Sequence, residues 1–288
     1  MSDVLMNLGM SALTLLLCLL PLWALSVKIK DASIIDIFWG MGFVIIAALC
    51  LYLSAGQTIY LKILAALPII WGLRLSLYLA RRNIGHGEVP RYQAMRKRAE
   101  KKGTSETSWR RRSFITIFLG QGLLMLIVSA PIWYGLAKGY YWDSNYILHE
   151  TTPGILTVVG TIIWLIGFLF EAISDWQLSR FKKKNADYDG PYADKPVLQT
   201  GLWRFSRHPN YFGNALIWWG IFIVACETPG GWITIFGPLV MTYLLVKVSG
   251  KPMLEYKLKK RPAYQDYMNR TPGFIPGIPK KKPRPQTE

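Results

Sequence analysis

Several groups of residues in this chain have types and spacings that could do chemistry. The run FEAISDWQLSRFKKK places Glu171 and Asp175 four residues apart, with Arg180 and Lys182 following. On a helix the two acids share one face, at the negative end of the helix dipole where carboxylates are mildly disfavoured. A solvated helix end would carry them, but two acids accepting that penalty together point to a polar partner such as ribose hydroxyls or an amide. Further on, GLWRFSRHPNYFGNAL passes from basic residues straight into an apolar helix. Pro209 suits a first helical turn, where no N–H is needed. His208 then falls near the N-cap, and Asn210 and Tyr211 occupy the first turn. Free N–H groups at a helix start, with Arg204 and Arg207 beside them, predict a phosphate cradle built without a glycine-rich loop. An ordinary basic loop explains the arginines but not the His-Pro-Asn-Tyr.

Two more groups precede these. In WGLRLSLYLARRN, Arg74, Tyr78 and Arg81 share a helical face, with Arg82 and Asn83 adjacent. Interfacial snorkelling accounts for Arg81 and Arg82, whereas Arg74 lies about two turns deeper. A phenol and cations inside a membrane suit an anionic ligand. Asp36, in SIIDIFWGMGFV, is either an interfacial carboxylate at a helix N-terminus or a cavity carboxylate that orients a hydrogen-bonding group or moves a proton. Near the C-terminus, Glu255, Tyr256, Tyr264 and Tyr267 form a polar, aromatic segment able to cover the same site.

The elements that must position these side chains are set by apolar length. Seven stretches, 4–26, 33–54, 59–80, 114–137, 153–173, 210–227 and 230–248, run with almost no charge, about what ~30 Å of hydrocarbon requires. The 288-residue chain is therefore expected to be all-α and polytopic, with one membrane domain over 1–273 and a basic, Pro-rich, disordered tail over 274–288. A formal charge of +17 raises the question of nucleic-acid binding. The Lys and Arg residues, however, gather between the third and fourth stretches, between the fifth and sixth, and after the seventh. That is the positive-inside pattern. It predicts an external N-terminus, a cytoplasmic C-terminus and no nucleic-acid partner; a bacterial inner membrane is the expected location. The first stretch lacks a basic leader and a cleavage site and is expected to be retained. The tail's charge suits anionic headgroups. Cys18, Cys50 and Cys226 are scattered singly, so neither a disulfide framework nor a metal site is indicated. No GxGxxG follows a strand and no P-loop occurs, which argues against a Rossmann domain or an NTPase. The residues above then describe a cytoplasm-facing site for an anionic, nucleotide-like ligand, with an apolar interior for a lipid-soluble co-substrate.

The run GLWRFSRHPNYFGNAL, taken with DIFWGMGFV, WGLRLSLYLARRNIGHGEVPRYQAMR, FEAISDWQLSRFK and RPAYQDYMNRTPGFIP, resembles the steroid 5α-reductase superfamily, in particular its bacterial branch. The sterol C14- and C7-reductases of that superfamily carry a closely similar Arg-His-Pro-Asn-Tyr-x-Gly run. The resemblance implies a seven-span enzyme acting on CH–CH groups, similar to the 3-oxo-steroid 4-dehydrogenases. Such an enzyme holds NADPH in a cytoplasm-facing cavity and reduces a conjugated enone in a steroid-like or other apolar lipid. Residue by residue, it implies dinucleotide contacts from Arg81, Arg82, Asn83, Glu171, Asp175, Asn210 and Tyr211, with Arg180, Lys182, Arg204, Arg207, His208, Asn214, Glu255 and Tyr256 around them. It also implies that Tyr78 polarises the enone carbonyl and that Asp36 orients Tyr78. The steroid reductases end the span-six motif with Glu and the sterol reductases with Asp, where this chain has Asn214; Tyr256 stands where the family often has His.

Membrane methyltransferases of the isoprenylcysteine and phospholipid type share the Arg-His-Pro-x-Tyr run, so S-adenosylmethionine chemistry on a lipid or isoprenoid is the alternative. A non-catalytic lipid carrier is disfavoured, because the polar groups lie on one side of the membrane and no pair of broken helices marks a midplane site. A monomer in contact with membrane lipids is expected.

Overall fold

The computed structural model describes residues 2–54, 58–144, 152–248 and 250–280. Helices, with short turns between them, make up the regular structure of these residues: α1 (Ser2–Ile29), α2 (Ile34–Leu53), α3 (Ile59–Asn83), α4 (Pro90–Lys101), α5 (Glu106–Val128), α6 (Ala130–Ser144), α7 (Ile155–Lys184), α8 (Pro209–Ala225), α9 (Phe236–Tyr243), α10 (Lys251–Leu258) and α11 (Pro262–Arg270). Six segments are long and apolar enough to cross a membrane: Asp3–Ile29, Ile34–Leu53, Ile59–Asn83, Glu106–Val128, Ile155–Lys184 and Gly231–Leu258. The chain is a multi-pass, all-helical membrane protein. The remaining expected span, 210–227, corresponds to α8, whose 17 residues rise about 26 Å, slightly less than a ~30 Å layer.

Where a single domain over 1–273 is expected, the fold clusters into two compact units, Met1–Thr161 with Ile221–Gly237, and Ile162–Gly220 with Pro238–Glu288. In the first, α2 and α3 cross at Gly40 and Gly72. A Cβ on Gly72 would stand 2.5 Å from the carbonyl oxygen of Gly40, so only glycine lets the backbones approach this closely. Phe43, Ile46, Leu64 and Trp71 fill the core around the crossing. The expected span 114–137 is divided. α5 starts earlier, passes through a wide turn at Phe114–Leu119 and stops before Ser129, and α6 resumes at Ala130. Pro131 is the cause, since in a continuous helix it would offer the Ile127 carbonyl no N–H and its ring would clash with that carbonyl. The Leu126 carbonyl accepts from Ser129 Oγ and Trp133 Nε1, each at 3.0 Å. Trp23 of α1 donates to the Arg110 carbonyl and Asn7 to the Trp133 carbonyl, so α5 and α6 together run antiparallel along α1.

In the second unit α7 and α8 cross at Gly167 and Gly213. A Cβ on Gly213 would lie 2.5 Å from the Glu171 nitrogen and 2.6 Å from the Gly167 oxygen. The C-terminal segment is also part of this unit. Residues 274–280, expected to be disordered, are bound: Ser206 Oγ donates to the Phe274 carbonyl at 2.7 Å, the Gly277 N–H to the Phe205 carbonyl at 2.9 Å and the Lys280 N–H to the Arg270 carbonyl at 2.9 Å. Residues 281–288 lie outside the described residues.

Candidate functional site

The glycine crossing in the second unit aligns two i, i+4 pairs. Glu171 and Asp175 on α7 face Asn214 and Asn210 on α8 in antiparallel order. Asn214 Nδ2 donates to Glu171 Oε2 at 3.2 Å and Asn210 Nδ2 to Asp175 Oδ1 at 3.1 Å. Glu171 and Asp175 are each 4% exposed and Asn214 8%. Buried carboxylates require partners, and each amide supplies one donor. Asn214 Oδ1 is itself buried and has no hydrogen-bond partner among the described residues. A buried amide oxygen without a donor costs about 1–3 kcal/mol, which a ligand hydroxyl or amide N–H would recover. Carboxylates and amide oxygens of this kind fit the sugar hydroxyls and carboxamide of a dinucleotide. Arg180, Lys182 and Arg204 are exposed, Arg180 over the Trp176 ring at 5.5 Å and Arg204 over Phe205 at 5.9 Å.

The start of α8 differs from the expected phosphate cradle. Four amides in and just before its first turn are already used by the chain itself: Arg207 N–H by the Pro272 carbonyl, His208 by Ser206 Oγ, Tyr211 by Asn210 Oδ1 and Phe212 by the His208 carbonyl. Arg207 is also committed. Its Nε donates to Glu255 Oε1 at 2.8 Å, and Nη1 to the carbonyls of Thr271 at 2.6 Å and Met268 at 3.2 Å. His208 Nε2 meets the same Glu255 oxygen at 3.0 Å, and its ring stacks on Tyr211 with centroids 5.4 Å apart. Arg207, His208 and Glu255 therefore clamp the C-terminal segment over the helix start. Arg207, expected to add charge to a phosphate cradle, is thus paired with Glu255. Tyr256 points away, 64% exposed, with Lys259 over its ring.

Tyr267 was expected to help cover the site, but sequence reasoning missed Gln177, Leu202, Trp203 and Ser174, which complete this clamp with it. Leu202 N–H donates to Gln177 Oε1 at 3.1 Å, Trp203 Nε1 to the Ser174 carbonyl at 3.1 Å, and Tyr267 Oη to the carbonyls of Trp203 and Ser206. Burial holds the Tyr267 phenol well above the ordinary tyrosine range, so it remains a donor. Gln177 shares the face of Ser174 at i, i+3 spacing, but its partner is a backbone amide 25 residues away, which no local pattern reveals.

In the first unit, Tyr78 lies under two cations, with Arg74 Cζ 5.4 Å and Arg82 Cζ 5.8 Å from its ring centroid. Arg81 is exposed, and Arg82 Nε donates to Asn83 Oδ1 at 3.0 Å. Asp36 is placed differently from its expected role. It sits in the first turn of α2, 9% exposed, and pairs with Arg91 Nη2 while accepting from Tyr92 Oη at 2.6 Å. Gln121 Nε2 donates to the same phenol at 2.9 Å. Asp36 thus anchors α4 rather than orienting Tyr78, because α4 folds back and brings a cation and a phenol within reach. Burial, and then the Asp36 charge, raise the Tyr92 pKa and keep it a phenol.

No solved structure matches the chain. Uncharacterized protein C594.04c of Schizosaccharomyces pombe is 23% identical over 289 residues, covering 89% of this chain and 76% of that protein. The polar pairs of α7 and α8 and the basic loop before them all fall within residues 22–271, the stretch matched by the family described as protein of unknown function DUF1295, and the chain belongs to that family.

Proposed function

We propose that this protein is a membrane-embedded, NADPH-dependent reductase of a carbon–carbon double bond in a conjugated enone of a steroid-like or other apolar lipid. The observation that carries the proposal is the buried pairing of Glu171 and Asp175 with Asn214 and Asn210, together with the unsatisfied Asn214 Oδ1. These four side chains would hold the sugar and carboxamide groups of the dinucleotide, and the exposed Arg180, Lys182 and Arg204 its phosphates. When bound, NADPH supplies the hydride that reduces the β-carbon. Tyr78 is assigned the substrate carbonyl: its hydroxyl donates to the oxygen as negative charge develops there, in the positive field of Arg74 and Arg82. A proton added at the α-carbon completes the saturated ketone. The protein would act as a monomer in a bacterial inner membrane, with its C-terminus on the cytoplasmic side, the orientation that the distribution of Lys and Arg favours.

Ribose hydroxyls also occur in S-adenosylmethionine, so the pairing of acids and amides would serve a lipid methyltransferase as well. That cofactor carries no phosphate for Arg180, Lys182 and Arg204, which favours the dinucleotide. Thermal unfolding of detergent-purified protein with NADPH, NADH or S-adenosylmethionine, each added alone, tests the choice. NADPH at a hundred times its Kd should stabilise the fold by about 2.7 kcal/mol. Stabilisation by S-adenosylmethionine alone would replace the reductase with the methyltransferase.

A further inference from the structure

A cavity in the first unit stands apart from the residues assigned above. It measures about 310 Å³ and lies between the C-terminal end of α1, α4 and the start of α5. Three cations line it: Lys30, Arg96 and Arg110. Its wall includes Trp109, whose ring lies under Arg96 at 5.5 Å. Arg96 is held in place, donating to Glu88 Oε1 at 2.9 Å and to the Lys30 carbonyl at 3.2 Å. Lys30 adopts a left-handed backbone, φ 56°, a conformation that is unfavourable for a side chain other than glycine. The residue is thus kept where its carbonyl meets Arg96. Glu106, at the other side of the cavity, pairs with Arg110, and Lys30 and Arg96 are also close enough to act on its carboxylate. Both members of that pair are solvent-exposed, at 69% and 48%, so the pair is weak and an incoming anion can displace it. The remaining acid in the lining, Glu100, is exposed.

We infer that this cavity is a binding site for a phosphate ester, with Lys30, Arg96 and Arg110 as its ligands and the Glu106 carboxylate as a built-in competitor for the same cations. The surroundings favour an anionic phospholipid headgroup as the source. The cavity lies at the end of a membrane-length helix, beside Trp23, whose ring packs at a tilt of 52° against Phe114 with centroids 5.1 Å apart; tryptophan is enriched at headgroup level. Leu25 and Ile29, 47% and 48% exposed on the adjoining turn, offer apolar surface for an acyl chain.

The test compares dihexanoyl phosphatidic acid with inorganic phosphate, each titrated against the full-length protein in detergent and read by thermal unfolding. Lys30→Gln and Arg110→Gln should each weaken the apparent affinity about fivefold, whereas Glu106→Gln should strengthen it. Tighter binding of the lipid than of phosphate identifies the headgroup; equal binding with the same dependence on the variants supports the site and assigns it to free phosphate. Affinity unchanged in both cation variants, or weakened by Glu106→Gln, overturns the inference.

Discussion

Asp36 and Tyr78 were expected to act as a pair, and their surroundings separate them. Tyr78 has cations over its ring, while Asp36 is engaged by Arg91 and Tyr92. Tyr78→Phe removes only a hydroxyl, so it should lower enone reduction by about 10²–10³-fold while leaving NADPH-induced stabilisation nearly intact. Steady-state kinetics with parallel thermal unfolding check this, and unchanged turnover would reject Tyr78 as the carbonyl donor. Asp36→Asn should behave in the opposite way. It leaves Arg91 without its charged partner, and because that guanidinium is one-third exposed the cost is about 1–3 kcal/mol, below that of a fully buried pair. Unfolding should shift to lower temperature with kcat little changed. A large loss of kcat at unchanged stability would return Asp36 to the chemistry. Asn214 is the other informative side chain. Asn214→Leu removes the amide donor to Glu171 and should cost about 1–3 kcal/mol, with loss of the stabilisation that NADPH confers.

At the scale of elements, a glycine-to-glycine crossing organises each unit, Gly40 with Gly72 on α2 and α3 and Gly167 with Gly213 on α7 and α8. The second crossing sets the spacing of the acid–amide pairs, because a wider separation would take the short Asn side chains out of hydrogen-bonding reach of the carboxylates. Gly213→Ala would press a methyl into the backbone of α7 and should destabilise by about 1–3 kcal/mol, with a parallel loss of nucleotide binding. Gly9→Ala on α1 is the control. Nothing lies within 4 Å of its added Cβ, so it should be neutral or gain up to about 1 kcal/mol from helix propensity. Thermal unfolding of both variants decides, and equal effects would exclude close packing as the reason for Gly213. The division of the expected 114–137 span shows the opposite case, in which one proline outweighs an unbroken apolar run.

At the scale of the molecule, the C-terminal segment is part of the second unit. It closes over residues 196–208 through Arg207 and Glu255, Tyr267 with the Trp203 and Ser206 carbonyls, Arg270 with Gln199, and Arg261 with the Pro196 carbonyl. Truncation after Gly273 removes the bonds made by Phe274, Gly277 and Lys280, so it should lower the unfolding temperature and speed proteolytic cleavage between residues 185 and 206. Truncation after Lys280 keeps those bonds and serves as the comparison; limited proteolysis followed by mass spectrometry reads the difference. A cysteine placed at Thr104, in the basic loop before α5, should react with a membrane-impermeant reagent only from the cytoplasmic side if the charge bias sets orientation.

Membrane spanning, the all-helical class and the approximate limits of most spans were legible in the sequence, because hydrocarbon thickness imposes a length and a composition on every crossing. The i, i+4 spacings of Glu171 with Asp175 and of Asn210 with Asn214 were legible too, since helical periodicity is local. That the two pairs meet was not. Their pairing depends on the contact of two backbones at Gly167 and Gly213, which only tertiary structure decides. The same holds for Arg207 and His208, whose partner Glu255 lies 48 and 47 residues away, and for Asp36, whose partners Arg91 and Tyr92 arrive on a helix 55 and 56 residues further on. Sequence spacing determines which side chains share a face; burial and the competition for hydrogen-bond partners decide which of them are left for a ligand.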